Sequence, residues 1–342
     1  MPLFAPVIRH FRENGVDVVL TARDHSQTVE LLDLAGLAGT YTIVGRHYGK
    51  GRVDKIRGLA VRSKQLVSHI NEQGKHIAVA VSHGSRSMVL AARWLKVPVV
   101  TMYDYEFTET RVFNRFSTKV LVPQAIPDEV LDEIRLPLNK RVKYRGIKEE
   151  LYIRDFEPTI DFRADFLAQH GHEDDASKVL VTLRPPATSA NYHSDKSDVL
   201  FDDLLHLLLS DDKVLTVIVP RTREQTATIA ERIANVADVG DRCILLDSAV
   251  DGLQLTFASD LLISGGGTMN REASLVGVPV YSIFAGRQGT LDRQIESDGK
   301  IVFIRDVRDL SKIRLERRGK APKIPLTDRV ERFVITEIEK FL

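Results

Sequence analysis

The sequence predicts an α/β protein made of two doubly wound, Rossmann-like lobes. Its 342 residues exceed what one hydrophobic core usually supports, so two domains are expected. Short β-branched runs alternate with amphipathic helical patterns, which predicts parallel strands with helices on both faces of each sheet. The alternation breaks once, over residues 146–162, and resumes after the polar stretch 170–178.

The first lobe is predicted over residues 1–150. The segment "VDVVLTA" (16–22) predicts a strand, and "SQTVELLDLAG" predicts the following helix, with Ser26 as its N-cap. Later strands are expected at "YTIVG", "HIAVAVS", "VPVVTMY", "KVLVP" and "VKYRG". A doubly wound domain normally begins with a strand, whereas "FAPVIRHFRENG" is helix-like. We therefore expect either a lobe that begins one strand short or a start that lies upstream.

The second lobe is predicted over residues 151–325. Its strands are expected at "KVLVTLRPP", "KVLTVIVP", "CILLD", "DLLIS" and "VPVYSIF", with helices between them. Residues 326–342 end in "TDRVERFVITEIEKFL", which predicts one amphipathic helix that packs back on the first lobe. Ligands of such lobes are expected at the carboxyl ends of the strands, in a cleft between the two domains.

Composition excludes several classes of protein. No apolar run approaches the roughly 20 residues of a membrane span, and Cys243, the single cysteine, excludes an internal disulfide. We expect the protein in the cytoplasm, and at the surface of a membrane if its acceptor lies in that membrane.

Residues 1–150 carry 23 basic against 16 acidic residues, which favours an anionic partner unless the excess merely solvates helix faces. Nucleic acid is not expected, because no aromatic-rich basic stripe accompanies the charge. Association of several copies is left open.

The most informative segment is "SGGGTMNREASLVGVP" (264–279). Three glycines between a strand and a helix let the backbone approach a ligand, and the helix N-terminus attracts a diphosphate. Thr268 is expected to cap the helix, Gly277 and Pro279 to end it, and Glu272 to accept hydrogen bonds from ribose hydroxyls. The alternative is a glycine turn that only permits tight packing.

Other phosphate motifs fit less well. The dinucleotide fingerprint needs a third glycine where Asn270 stands. The segment "GRHYGKG" has the wrong spacing for a nucleoside triphosphatase loop. We predict a nucleotide sugar as substrate, no obligatory cofactor and no metal.

The chain resembles a known family over nearly its whole length. "VVLTARDHSQTVELLDLAGL", "TIVGRHYGK", "VSHGSRS", "YRGIKEELY", "VTLRPP" and "SGGGTMNREA" are similar to an archaeal and bacterial family described as a domain of unknown function. That family is grouped with GT-B enzymes such as UDP-N-acetylglucosamine (UDP-GlcNAc) 2-epimerase and the N-acetylglucosaminyltransferase that forms lipid II.

The resemblance implies roles for residues of the second lobe. The residues that would hold the nucleotide sugar are Arg184, Gly265, Gly266, Gly267, Thr268 and Glu272. Among them, Arg184 would meet the donor phosphates and Glu272 the ribose. The arginine is suited to a bidentate phosphate contact, although a surface salt bridge is the alternative.

In the first lobe, "SHG" resembles the epimerase segment "HGD", with Ser85 where the epimerases have aspartate. His83 is expected to form a hydrogen bond at the cleft. Asp104, Glu106 and Glu109 follow the next strand and are candidates for a general base; alternatively they begin a solvated helix. Arg46 and Lys50 lie in a basic loop that would either grip an anionic acceptor or remain solvated.

Together these features predict a GT-B-type glycosyltransferase that transfers a sugar from a UDP-type donor to an acceptor. The alternatives are a UDP-GlcNAc 2-epimerase-like enzyme and a nucleotide-sugar-binding protein without catalysis.

Overall fold

The structure is a computed structural model in which the chain divides into two compact units. It describes residues 3–24, 28–46, 48–49, 51–186, 195–236, 239–284, 286–319 and 327–342. The first unit comprises Met1–Arg154, Gly289–Leu291 and Leu326–Leu342. The second unit comprises Asp155–Gln288 and Asp292–Pro325.

Among its described residues, the first unit holds six parallel strands in two sheets. Its elements up to Arg154 are α1 (Ala5–Glu13), β1 (Thr21–Asp24), α2 (Thr28–Leu34), β2 (Thr42–Arg46), α3 (Arg52–Glu72), β3 (Ala80–His83), α4 (Arg86–Trp94), β4 (Val99–Met102), α5 (Arg111–Phe116), β5 (Lys119–Pro123), α6 (Asp128–Glu133), β6 (Arg141–Tyr144) and α7 (Glu150–Ile153). One sheet pairs β1 with β2, and the other has the order β3-β4-β5-β6.

Strand β5 shows why this chain forms a parallel sheet covered on both faces. Val120, Leu121 and Val122 are consecutive and all fully buried, as expected of a central parallel strand. Val120 and Val122 point to the same face and pack with Val89 and Ala92 of α4. Burial of each such side chain contributes about 1.5–3 kcal/mol.

The second unit is a single six-stranded parallel sheet with helices on both faces. Its elements are α8 (Phe162–Gln169), β7 (Val179–Arg184), α9 (Asp195–Ser210), β8 (Val214–Ile218), α10 (Arg223–Ala234), β9 (Cys243–Leu245), α11 (Gly252–Ala258), β10 (Leu261–Ser264), α12 (Gly267–Leu275), β11 (Val280–Ser282), α13 (Thr290–Ser297) and β12 (Val302–Phe303). The first two residues of α13 cluster with the first unit. The strand order is β12-β11-β10-β7-β8-β9.

This order has a switch point between β7 and β10. From β7 the chain runs outward through β8 and β9, and it returns to β10 on the other side before running outward again. Val181 packs toward α9 and Leu180 toward α8 and α11, so both faces of β7 are covered. The fold is therefore the α/β, GT-B-like class with two Rossmann-like sheets that the sequence predicts.

One element differs from prediction at its boundary. The strand expected at 16–22 forms only at Thr21–Asp24. Val18 and Leu20 pack, partly buried, in a cluster with Ile8, and the Leu20 carbonyl accepts a 2.9 Å hydrogen bond from the Thr42 amide just before β1 begins. Ser26, the expected cap of α2, lies outside the described residues.

The C-terminal helix α14 (Arg329–Glu339) has the predicted amphipathic pattern. Val330, Val334, Ile335 and Ile338 are buried along one stripe, as the helical period requires. The helix clusters with the first unit, where Glu331 receives a 2.8 Å hydrogen bond from Arg154 at the end of α7. No helix in the part of the chain that the structure describes is long and apolar enough to cross a membrane.

Candidate functional site

The glycine turn of the second unit lies at the switch point of its sheet. Strands β7 and β10 are neighbours, with Arg184 paired to Ser264, so both end at the same edge. The Gly265 amide donates a 2.9 Å hydrogen bond to the Arg184 carbonyl, and α12 begins two residues later. Ligands of doubly wound sheets bind outside the carboxyl ends of the strands at this point.

None of the three glycines has room for a side chain. A Cβ at Gly265 would lie 2.6 Å from the Pro186 Cα, and one at Gly266 would lie 2.5 Å from Nη2 of Arg221. A Cβ at Gly267 would lie 2.9 Å from Nη1 of Arg271. The backbone therefore closely approaches Pro186 and two arginine side chains.

Two arginines and one glutamate surround this turn. The Arg184 Nη1 donates to the carbonyls of Val219 at 2.9 Å and Pro220 at 3.0 Å, which fixes its position at the strand end. Burial and then the charge of Arg221 lower the pKa of Arg184, and the nearby carboxylate of Glu272 raises it. At neutral pH both guanidinium groups are positive, so the turn combines two cations with the N-terminus of α12, an arrangement that attracts a diphosphate.

Thr268 does not cap the helix as the sequence predicts. The N-cap is Gly266, with no side-chain cap hydrogen bond, and its amide donates to the Ser264 hydroxyl at 3.0 Å. The helix begins two residues earlier than predicted, because glycine is itself an accepted N-cap. The predicted end is confirmed: α12 stops at Leu275, and Gly277 has a positive φ of 73°.

The first unit contains a buried charged cluster at the carboxyl edge of its four-stranded sheet. The Lys148 Nζ lies 2.5 Å from Oδ2 of Asp104 and 2.6 Å from Oε1 of Glu149. The other oxygen of Asp104 is 3.5 Å from Nε2 of His83. Lys148 is 1% exposed and Glu149 is fully buried, whereas 29% of the His83 side chain remains exposed. Of His83, Lys148, Asp104 and Glu149, His83 is therefore the most exposed, although its Nε2 is itself buried.

The three predicted carboxylates have different environments. Asp104 and Glu106 are buried, but Glu106 accepts hydrogen bonds from the amide and hydroxyl of Thr290, at 2.7 and 2.6 Å. Its Oε2 has no hydrogen-bond partner among the residues that the structure describes. Glu109 is exposed and accepts a 3.2 Å hydrogen bond from the Arg111 amide at the start of α5, so it matches the alternative of a solvated helix start.

Of the three remaining residues that the sequence singles out, the structure describes two, Ser85 and Arg46. Ser85 is the N-cap of α4 and accepts from the Met88 amide. Arg46 is exposed at the end of β2, with its guanidinium 5.9 Å from the centre of the Tyr48 ring. Lys50 lies outside the described residues.

Sequence reasoning missed Arg221, Lys148 and Glu149. Arg221 follows the apolar strand "VLTVIVP" and stands at its carboxyl end, the position that also singles out Arg184. Lys148 and Glu149 lie in "YRGIKEELY", where adjacent charges in a predicted connection between domains give no sign of burial. Only their packing identifies them.

Each unit therefore has a distinct chemical capacity. The second unit offers cations and backbone amides to an anion, with a carboxylate nearby that can accept hydrogen bonds from hydroxyl groups. The first unit offers an imidazole backed by a buried carboxylate, a pair suited to proton transfer.

Several solved structures that are similar to this chain are UDP-GlcNAc 2-epimerases. The enzyme from Methanocaldococcus jannaschii in complex with UDP-GlcNAc and UDP has a TM-score of 0.68 at 15% identity, over 99% of this chain and 96% of that one. The enzyme from Neisseria meningitidis bound to UDP-GlcNAc has a TM-score of 0.67 at 15% identity, over 98% and 96%. At these identities the likeness establishes the fold.

Sequence comparison gives the family. The uncharacterized protein MJ0665 of Methanocaldococcus jannaschii is 23% identical over 323 residues, which are 90% of this chain and 85% of that protein. Residues 1–337 match the model of the family described as protein of unknown function DUF354, and the chain belongs to that family.

Proposed function

We propose that this protein is an enzyme that binds a nucleotide sugar, with the diphosphate at the glycine turn of the second unit. The observation that carries the proposal is the placement of Arg184, Arg221 and Glu272 around that turn. The two arginines and the start of α12 would bind the phosphates, and Glu272 would accept hydrogen bonds from the ribose hydroxyls. The known ligands of the structurally similar epimerases, UDP-GlcNAc and UDP, agree with this chemistry.

The reaction that we propose is transfer of the sugar to an acceptor hydroxyl. As the bond between the anomeric carbon and the diphosphate oxygen breaks, Arg184, Arg221 and the helix N-terminus would stabilise the negative charge on the departing diphosphate. The acceptor oxygen would form the new bond to that carbon. Its proton must pass to a base, and such a base typically contributes about 10²–10⁴-fold to the rate.

We assign proton transfer to His83 with Asp104 behind it. The Asp104 carboxylate is held by Lys148 on one oxygen and faces His83 with the other. At 3.5 Å this oxygen does not form a hydrogen bond with Nε2, but its negative charge would stabilise the protonated imidazole. Lys148 thereby acts as a positioning residue, since it contacts the carboxylate and not the reacting atoms.

The likeness to solved epimerases favours a second candidate, epimerisation at C2 of the bound sugar. One side chain weighs against it. The epimerases resembled by this chain carry an aspartate where Ser85 stands, and the Ser85 hydroxyl is occupied as the N-cap of α4. A carboxylate for exchange of the C2 proton would have to come from another residue.

The donor site is tested by titrating UDP and its 2′,3′-dideoxy analogue into the protein and the variant Glu272→Gln. We expect the substitution to weaken UDP at least about tenfold, because a hydrogen bond to a charged group contributes about 1.5–3 kcal/mol. The dideoxy analogue lacks both hydroxyls and should bind both proteins equally. Isothermal titration calorimetry measures the affinities.

Glu231→Gln provides the control, because Glu231 is an exposed glutamate of α10 in the same unit. It should leave both affinities unchanged. If Glu272→Gln weakens the two nucleotides to the same extent, Glu272 does not contact the ribose. If UDP does not bind to the unsubstituted protein, the donor site itself is excluded.

The reaction is tested by incubating the protein with UDP-GlcNAc in D₂O, without any acceptor, and following the nucleotide sugar by NMR. Transfer requires an acceptor, so the donor should keep both its C2 configuration and its C2 proton. Addition of hydroxyl-bearing acceptors should then release UDP together with a glycosylated product. Conversion of the donor alone to its C2 epimer, with deuterium at C2, would replace transfer by epimerisation as the function.

A further inference from the structure

The first unit contains a cavity that the proposed donor site does not use. It encloses about 400 Å³ at the carboxyl ends of β1, β2 and β3, beside the first turns of α3 and α4. Its cationic lining residues are Arg23, Arg46, Lys55, Arg62 and Arg86, and the His83 ring also lines it. Asp54 is the one acidic residue among the described residues that line it.

Arg62 forms the fixed centre of this cavity. Its Nε donates a 3.0 Å hydrogen bond to the Val44 carbonyl, and its Nη1 donates to the hydroxyls of Ser85 at 3.3 Å and Ser87 at 2.5 Å. Long side chains ordinarily lose conformational entropy when they bind a ligand, but these bonds already hold the guanidinium in place.

Arg23 and Arg86 bring two more positive charges to the same space. Burial and then the charge of Arg23 lower the pKa of Arg62 to about 10, and burial and then the charge of Arg86 lower the pKa of Arg23. No carboxylate of the described chain forms an ion pair with any of the three guanidinium groups. Like charges that repel one another without a counter-ion are stabilised when an anion enters.

The helix termini add to this positive potential. α4 begins at Arg86, and α3 begins at Arg52 after Gly51, an N-cap without a side-chain hydrogen bond. The amides of a helix N-terminus and its dipole favour an anion. The cavity therefore combines two helix starts with the guanidinium groups of Arg23, Arg62 and Arg86.

We propose that this cavity binds a phosphoryl group, at a site separate from the glycine turn of the second unit. A carboxylate needs one arginine for bidentate contact, whereas a phosphate carries up to two charges and three terminal oxygens, which several guanidinium groups can share. The phosphoryl group belongs either to a phosphorylated acceptor or to the nucleotide itself. The site does not depend on the proposed transfer reaction.

The test uses three probes and four variants of the full chain. Inorganic phosphate and glucose 1-phosphate represent free phosphate and a phosphate monoester, and UDP represents the nucleotide. The substitutions Arg23→Gln and Arg86→Gln remove cations of the cavity without touching the anchored Arg62. Arg93→Gln, an exposed arginine at the other end of α4, is the matched control, and Arg184→Gln removes a cation of the second unit. Calorimetry gives the affinities, and circular dichroism confirms that each variant is folded.

We expect Arg23→Gln and Arg86→Gln each to weaken glucose 1-phosphate about tenfold or more, while Arg93→Gln and Arg184→Gln leave it unchanged. If both cavity variants weaken UDP as well, the nucleotide is the source of the phosphoryl group. If they weaken only the monoester or inorganic phosphate, the source is a separate phosphorylated ligand. The proposal is overturned if no probe binds, or if none loses affinity in the folded cavity variants. The affinity of Arg184→Gln for UDP tests the donor site separately. A negative result at the cavity therefore does not exclude the donor site.

Discussion

Replacing Lys148 by methionine is expected to lower the free energy of unfolding by about 3–5 kcal/mol, which is the usual cost of removing one partner from a buried ion pair. The ammonium is 1% exposed and lies within hydrogen-bond distance of both Asp104 and Glu149, which are themselves buried. Methionine would fill the space but leave two carboxylates without their cation. Urea denaturation of the full chain, followed by circular dichroism, measures the loss.

Lys143→Met is the matched control. Lys143 lies on β6, a few residues before Lys148, and its Nζ is 3.3 Å from Oδ1 of Asp128, whose side chain is 55% exposed. Exposed pairs contribute about 0–1 kcal/mol, so this variant should unfold close to the original protein. If Lys148→Met is no less stable than Lys143→Met, Lys148 does not compensate buried charge, and its assignment as the residue that positions Asp104 fails.

Serine substitutions at the neighbouring Gly265 and Gly266 are expected to affect different properties. Gly265→Ser should lower stability, whereas Gly266→Ser should weaken the binding of UDP. At Gly265 the new Cβ would meet the Cα of Pro186 at 2.6 Å, and backbone atoms yield only at a cost of about 1–3 kcal/mol. At Gly266 it would meet the end of the Arg221 side chain at 2.5 Å, which can move. Serine is also a good N-cap for α12, so Gly266→Ser should fold normally.

The displaced Arg221 should show in ligand affinity instead. We expect Gly266→Ser to weaken UDP about tenfold, the loss that follows from one charge-assisted hydrogen bond. Thermal unfolding and calorimetry on the two variants give both quantities. If folded Gly266→Ser binds UDP as tightly as the control Glu231→Gln does, Arg221 does not contact the nucleotide.

Sequence reasoning was most successful where the evidence is local. The segments "KVLVP" and "DLLIS" form β5 and β10 as expected, and α12 ends before Gly277. These features depend on side chains a few positions apart and on backbone angles that only certain residues adopt readily. Boundaries were less well predicted: Val18 and Leu20 have strand propensity and pack beside Ile8, yet β1 begins only at Thr21.

The candidate site residues also divide into those that local sequence identifies and those that only the structure distinguishes. Arg184, Gly265 and Glu272 are recognisable because they stand at a strand end, in a glycine turn and on the helix that follows. Glu109 has the same composition and spacing cues as Asp104, yet it is exposed at the start of α5. Alternating strands and helices do not reveal which of several neighbouring carboxylates is buried.

The sequence by itself determined that the chain is a two-lobed α/β protein with a glycine turn suited to a phosphate. Only packing shows which residues far apart in the chain meet: Arg221 beside Gly266, Lys148 beside Asp104, and Arg23 beside Arg62 and Arg86. In each case the partners lie at the ends of different parallel strands or on the connecting helices. They come together because parallel strands end at one edge of their sheet, and a residue's distance from that edge is set by strand order and packing.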